Sequence, residues 1–204
     1  MAIKVGLLAQ KGGVGKSTLA VGLAVAHQRT GGHAVVIDLD PQRSAAVWGQ
    51  LRGGDAPPVI EGAAPQLERQ VRAAERDGAD LVVVDGPPRG GGGAVEAARL
   101  ADLVLIPCRP SALDLNALPT ALAVAAGTRS AVVLNCCPPF GSWTAEADEA
   151  VAVLGAECCP VTLGQRIAHA RSFMSGRTAQ ELERRSAAAE EIRRLYQWSM
   201  EIST

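Results

Sequence analysis

The sequence predicts a doubly wound α/β fold, a mainly parallel sheet with helices on both faces. Two observations lead there. Short, unbroken apolar runs alternate with stretches of helical periodicity, the pattern of strands buried on both sides and joined by crossover helices. The loops that carry glycine, lysine and aspartate also follow the C-terminal ends of those runs, where sheets of this kind bind ligands.

Residues 3–9 are apolar and close on a Gly-rich turn, which makes them a buried first strand. Over residues 17–29 the apolar positions Leu19, Leu23 and Ala26 recur at helical spacing, and Gly31 and Gly32 end the run. Residues 34–37 form the second strand and lead into Asp38-Leu39-Asp40-Pro41. Residues 44–51 read as a helix, 53–58 as a Gly/Pro loop and 66–76 as a polar-faced helix. Apolar runs at 81–84, 103–106 and 131–134 are the next three strands. A weaker sixth is expected near 158–161, and 178–200 reads as one long charged helix.

At 204 residues and 48% hydrophobic content, one domain spanning 1–204 can build a core without disulfide or metal staples. The same content excludes disorder. No stretch approaches the ~20 uncharged apolar residues of a membrane span, and the residues ahead of the Gly-rich loop are too few for a secretory signal. A cytoplasmic protein without integral membrane association is expected. A net charge of −1 confines any nucleic-acid contact to a local patch. The five cysteines, Cys108 and the neighbours Cys136, Cys137 and Cys158, Cys159, lack zinc-type spacing and read as buried reduced thiols. Lysine is used only at positions 4, 11 and 16, while arginine supplies the rest of the 20 cationic side chains.

Two of those lysines fall in Lys11-Gly12-Gly13-Val14-Gly15-Lys16-Ser17-Thr18, between the first strand and the first helix. The glycines let backbone N–H groups wrap a phosphate chain, and the helix N-terminus adds partial positive charge. Lys16 is placed to reach the β- and γ-phosphates of a nucleotide, and the Ser17 hydroxyl to coordinate Mg²⁺. The pattern G-x-x-x-x-G-K-[ST] is met except at its first glycine, where Gln10 stands, followed by the additional Lys11. A planar guanidinium would overfill this cradle, so lysine persists here. Asp38 and Asp40, two apart on an extended segment, point to the same side beyond the strand tip. One can position an attacking water and the other can hold the metal shell. A third apolar run delivers Asp85 toward the same Mg²⁺.

The loop resembles the deviant Walker A motif of the ParA/MinD group of P-loop ATPases. Val36-Ile37-Asp38-Leu39-Asp40-Pro41-Gln42 and Asp85-Gly86-Pro87-Pro88 are similar to the group's other signatures, and the likeness covers residues 3–175. It implies ATP and Mg²⁺ as cofactors, with Gly12, Gly13, Val14, Gly15, Lys16, Ser17 and Thr18 on the nucleotide. It implies Ser17 and Asp85 at the metal, and Lys11, Lys16, Asp38 and Asp40 as catalytic residues, with Asp38 activating water and Asp40 coupling hydrolysis to conformational change. Lys11 would reach across an ATP-bound homodimer to the partner's phosphates, so that hydrolysis waits on dimerisation. Residues 89–93 resemble a switch loop that senses the γ-phosphate. Residues 105–114 resemble the segment after the fourth strand. Asn135 matches a position that meets adenine, and Gln165 and Arg166 match a loop near the base.

The likeness is greatest to small ParA partition ATPases. These act in the cytoplasm on the nucleoid: an ATP dimer binds DNA non-specifically, and a ParB-like or other partner stimulates hydrolysis to position a plasmid, chromosome or protein cargo. Longer ParA proteins carry an N-terminal winged-helix or helix-turn-helix region, whereas this sequence starts on strand one, so operator-specific binding is not expected. From Arg166 onward arginines outnumber glutamates seven to five. Arg171, Arg177, Arg184 and Arg185 are therefore candidate DNA-phosphate contacts. The competing reading is a solvated helix laced by Glu181–Arg185 and Glu190–Arg194 pairs. Two alternatives stay open, a MinD-like membrane switch and a P-loop redox or metabolic enzyme. A MinD-like membrane-associated positioning ATPase needs a basic amphipathic C-terminal helix, a character that residues 192–200 partly have and Glu190, Glu191 and Glu201 oppose. A redox enzyme of the nitrogenase iron protein type needs a cluster-binding cysteine in the Gly-rich loop after Asp85, where none stands. A metabolic ligase needs insertions that this length barely holds.

Overall fold

The structure, a computed structural model, describes residues 1–88 and 91–203. In chain order the elements are β1 (Ile3–Ala9), α1 (Lys16–Arg29), β2 (Ala34–Asp38), α2 (Ser44–Arg52), β3 (Val59–Glu61), a 3₁₀ turn (Ala64–Gln66), α3 (Leu67–Arg76) and β4 (Leu81–Pro88). Next come α4 (Gly92–Leu100), β5 (Leu103–Cys108), α5 (Ala112–Leu115), α6 (Leu118–Val124) and β6 (Ser130–Leu134). The C-terminal part adds α7 (Trp143–Val153), α8 (Ile167–Phe173), α9 (Ala179–Leu182) and α10 (Ala187–Ser203). The six strands form one parallel sheet in the order β3-β2-β4-β1-β5-β6. The chain first winds to one side of β1 and then, from β5 on, to the other, so β1 ends at the switch point where such sheets open a binding crevice.

The central strands are apolar apart from Lys4 and the carboxylates Asp38 and Asp85 toward their C-terminal ends, because both faces are covered. Alternate side chains serve opposite cores: Val83 packs with α1 and α10, whereas Val82 and Val84 pack with α3, α4 and α6. Helix α1 is buried along Leu19–Ala26 because the sheet lies on one side and α10 on the other. Small residues allow that approach. At Gly22 a Cβ would already lie 3.2 Å from the Ile192 side chain.

Three local expectations are corrected. The weak strand at 158–161 is only a bridge between Cys158 and Val132, because the register slips: the next β6 carbonyl, that of Leu134, takes the N–H of Leu163, while the Val161 N–H turns to the Cys159 sulfur. The sixth strand is instead β3 at the far edge, three residues long. The helix expected over 178–200 is broken. Thr178 and Glu181 form a capping box that starts α9, and the Ser186 hydroxyl accepts the Ala189 N–H at the start of α10. The break removes the expected Glu181–Arg185 pair, and Glu181 instead meets Arg52 at 2.9 Å. Within the unbroken α10, Glu190 pairs with Arg193 rather than with Arg194.

Candidate nucleotide-binding site

The loop between β1 and α1 turns through Gly13 (φ +75°) and Gly15 (φ +95°), conformations that only glycine adopts without strain. Among the described residues, no acceptor takes the N–H groups of Gly12, Gly13, Val14 or Gly15. Helix α1 has no acidic residue in its first turn and no side-chain cap, so its N-terminal partial charge is uncompensated. Lys16, at the head of this helix, is buried, and its Nζ lies 3.5 Å from Asp40 Oδ2.

The carboxylates stand on neighbouring strand tips, with Asp38 on β2 in register with Asp85 on β4. Asp38 is held rigidly: Oδ1 accepts the Asp40 N–H and Oδ2 accepts the Ala46 N–H, each at 2.9 Å. Burial raises its pKa, against the pull of those bonds. Asp85 is fully buried, and among the described residues neither carboxyl oxygen has a hydrogen-bond partner. Burial pushes its pKa up to about 7; the nearby Ser17 hydroxyl and Lys16 ammonium favour the charged form, while Asp38 and Asp40 oppose it. An orphaned acid in such a place fits a cation. No group of three or more acidic, His or Cys side chains that could hold a metal exists among the described residues. Mg²⁺ binds through one or two protein oxygens plus phosphate and water, so a single carboxylate beside the Ser17 hydroxyl is a donor set that it could use.

Two clefts meet over this loop. One, of about 430 Å³, is lined by Gly12, Lys16, Ser17, Asp40, Gln42 and Phe173, among others. The second, of about 360 Å³, is lined by Leu19, Asn135, Cys136, Gln165, Arg166 and Ile167, and both share Gly13, Gly15, Thr18, His169 and Ala170. The fold thus brings Asn135, Gln165 and Arg166 to one cleft, beside the phosphate loop. Asn135 spends its amide N–H on the Val14 carbonyl at 2.7 Å, and Arg166 is paired with Glu191 at 2.6 Å. Lys11 is more exposed than Lys16, with its Nζ 3.8 Å from Asp114 Oδ1.

Sequence reasoning missed two side chains here. Arg109, inside the segment 105–114, donates to the Gly13 carbonyl. His169 lines both clefts, and burial lowers its pKa. Neither carries a motif; only the chain crossing shows them. Of the candidate DNA contacts, Arg171, Arg184 and Arg185 are exposed. Arg177 is instead tied to Asp55 at 2.9 Å and Glu181 at 3.6 Å. In the expected switch loop, Arg89 and Gly90 lie outside the described residues, and Gly92 and Gly93 open α4.

A glycine loop at the switch point of a parallel sheet, followed by a buried lysine and faced by an orphaned strand-end carboxylate, defines a P-loop nucleotide-binding protein. The sequence matches the family model of the CobQ/CobB/MinD/ParA nucleotide binding domain over residues 5–196. The chain belongs to that family. It is 37% identical over 108 residues to "Protein ParA" of Rhizobium radiobacter, covering 51% of this chain and 47% of the relative. It is 39% identical over 117 residues to the maintenance of carboxysome distribution protein A of Gloeobacter kilaueensis, covering 56% of this chain and 52% of that one. The chain thus spans about half the length of the curated relatives it matches. Its fold superposes on the MinD cell division protein of Aquifex aeolicus with TM-score 0.78 at 17% identity, over 98% of this chain and 97% of the other.

Proposed function

We propose that this protein is a ParA-type positioning ATPase. It closes into an ATP sandwich dimer, binds DNA non-specifically, and hydrolyses ATP when a ParB-like or other partner protein stimulates it, so that a plasmid, chromosome or protein assembly is segregated or spaced. The observation that carries the reading is the geometry around Asp85: an unpartnered buried carboxylate beside Ser17 and Lys16, under a loop with free N–H groups.

In this reading the loop and the head of α1 bind the phosphate chain, and Lys16 leaves Asp40 to reach the β- and γ-phosphates. Mg²⁺, held by the Ser17 hydroxyl and Asp85, would neutralise charge on those phosphates. Asp38 holds the attacking water. The backbone N–H groups of Asp40, Ala45 and Ala46 fix its carboxylate in place, and its raised pKa suits proton acceptance. Gln165 and Arg166 flank the nucleoside, and Asn135 lines the same cleft while bonding the Val14 carbonyl. Lys11, at the rim and with a long contact to Asp114 as its ion pair among the described residues, is free to cross to the partner's ATP. Exposed Arg171, Arg184 and Arg185 supply DNA-phosphate contacts.

One observation weighs against the membrane-associated alternative. The apolar face of α10 (Ile192, Leu195, Tyr196) is spent on the core against α1. No helix among the described residues is long and apolar enough to cross a membrane.

Lys16→Ala should abolish nucleotide binding. Lys11→Ala should keep binding but lose ATP-dependent dimerisation, read by analytical ultracentrifugation, and most turnover. Wild-type hydrolysis by Lys11→Ala, with and without the partner, would show that no lysine acts across the dimer.

A further inference from the structure

Two side chains from outside the phosphate loop hold consecutive carbonyls of it. Arg109, in the turn after β5, donates from Nη2 to the Gly13 carbonyl. Asn135, just past β6, donates from Nδ2 to the Val14 carbonyl at 2.7 Å. Strands β5 and β6 are direct neighbours, and the Asn135 N–H itself bonds to the Cys108 carbonyl, so one rigid corner of the sheet carries both anchors. Arg109 has no carboxylate partner among the described residues; it meets the Gly13 carbonyl and, beside it, the Cys136 thiol.

The carbonyl and N–H of a trans peptide unit point in opposite directions. Holding the Gly13 and Val14 oxygens therefore turns the N–H groups of Val14 and Gly15 away from Arg109 and Asn135. Neither N–H has an acceptor among the described residues, and successive free N–H groups in such a turn make an anion-binding concavity. The glycines match the anchors. A Cβ at Gly13 would come to 3.1 Å from the Arg109 guanidinium, and one at Gly15 to 2.3 Å from the Asn135 amide nitrogen.

We propose that Arg109 and Asn135 are positioning residues that set the phosphate loop before a nucleotide arrives. Arg109 works through Gly13 and Asn135 through Val14, rather than by touching the γ-phosphate or the base. The inference rests on the nucleotide-binding reading of the loop, and inorganic pyrophosphate, which has no base and no γ-phosphate, separates the possibilities.

Equilibrium binding of Mg-ATP, Mg-ADP and Mg-pyrophosphate should be measured for the wild type, Arg109→Ala, Arg109→Lys and Asn135→Ala. Losing one anchor should weaken all three ligands alike, by about five- to tenfold, the worth of one net hydrogen bond. Arg109→Lys should recover part of the loss, because an ammonium still donates to a carbonyl. Turnover at saturating ATP should fall less than KM rises. If Arg109→Ala weakens ATP alone, the guanidinium is a γ-phosphate contact and the proposal is wrong. If Asn135→Ala weakens ATP and ADP but spares pyrophosphate, Asn135 serves the base instead. Unchanged binding in both variants would mean that the loop sets itself. Should the wild type bind none of the three, the nucleotide-binding reading falls as well.

Discussion

Asp85→Asn tests the heart of the site through stability rather than activity. Asp85 is fully buried with neither oxygen bonded, and its pKa is pushed from 3.8 to about 7. A carboxyl that binds its proton more tightly when folded costs stability as pH rises from its unfolded pKa toward its folded one. At pH 5 the folded side chain is still protonated, and most of the penalty is yet to come. By pH 8 the further loss amounts to about 2.5 kcal/mol on that shift. Asparagine never ionises. Its own buried amide carries a penalty as well, but one that does not change with pH, so it drops out of the comparison. Without Mg²⁺ or nucleotide, the melting temperature of Asp85→Asn relative to wild type should therefore climb between pH 5 and pH 8. At roughly 2–4 °C per kcal/mol for a domain of this size, the climb is about 5–10 °C. Thermal unfolding followed by circular dichroism in EDTA, at half-unit pH steps, reads it directly. A difference that stays flat over this range would mean that Asp85 has an ordinary pKa, and the reasoning from its orphaned burial would fail. With Mg²⁺ and nucleotide added, the wild type should regain stability and the Asn variant should gain much less.

Gly15→Ala should fold but bind ATP more than tenfold weaker, as read by nucleotide titration, because its backbone is left-handed and the new methyl meets Asn135. Arg52→Ala should cost about 3–5 kcal/mol in urea denaturation. It strips Glu181 of its buried partner, the Ala56 and Gly176 carbonyls of a donor, and Trp48 of a stacked guanidinium. Although burial alone would raise the pKa of Glu181, Arg52 and Thr178 hold it below its ordinary value. That contribution is therefore present above the unfolded pKa of 4.5 and lost as pH falls through the lowered folded one, an acid sensitivity that Arg52→Ala should blunt. If Arg184 and Arg185 touch DNA, changing both to Gln should lower the salt dependence of ATP-dependent duplex binding by about one unit of slope per arginine. An unchanged slope would move the DNA contact elsewhere.

Much of the site is legible in the sequence alone. The phosphate loop is a local object: glycines that permit left-handed turns, a lysine after them, a strand before and a helix behind, all within consecutive residues. Asp38 and Asp85 were legible for a similar reason, since an apolar run ending in a carboxylate places that acid at a strand tip whatever the strand pairs with. The misreadings had two sources, a local signal passed over and neighbours distant in sequence. Residues 178–200 carry helical spacing throughout, but Ser186 offers an N-cap in mid-run, and Glu181 prefers Arg52.

What the sequence by itself determined is the fold class and the chemistry at the tip of each strand, because both follow from backbone geometry and short-range pattern. The tertiary structure alone decided how those tips act on one another. It left Asp85 without a partner while bonding Asp38 twice, tied Arg177 into ion pairs while leaving Arg184 exposed, and brought Arg109 and Asn135 onto neighbouring carbonyls of a loop some hundred residues away in sequence. The physical reason is that desolvation, pairing and hydrogen bonding between distant residues depend on where the sheet sets them side by side. No local pattern in the chain records that placement.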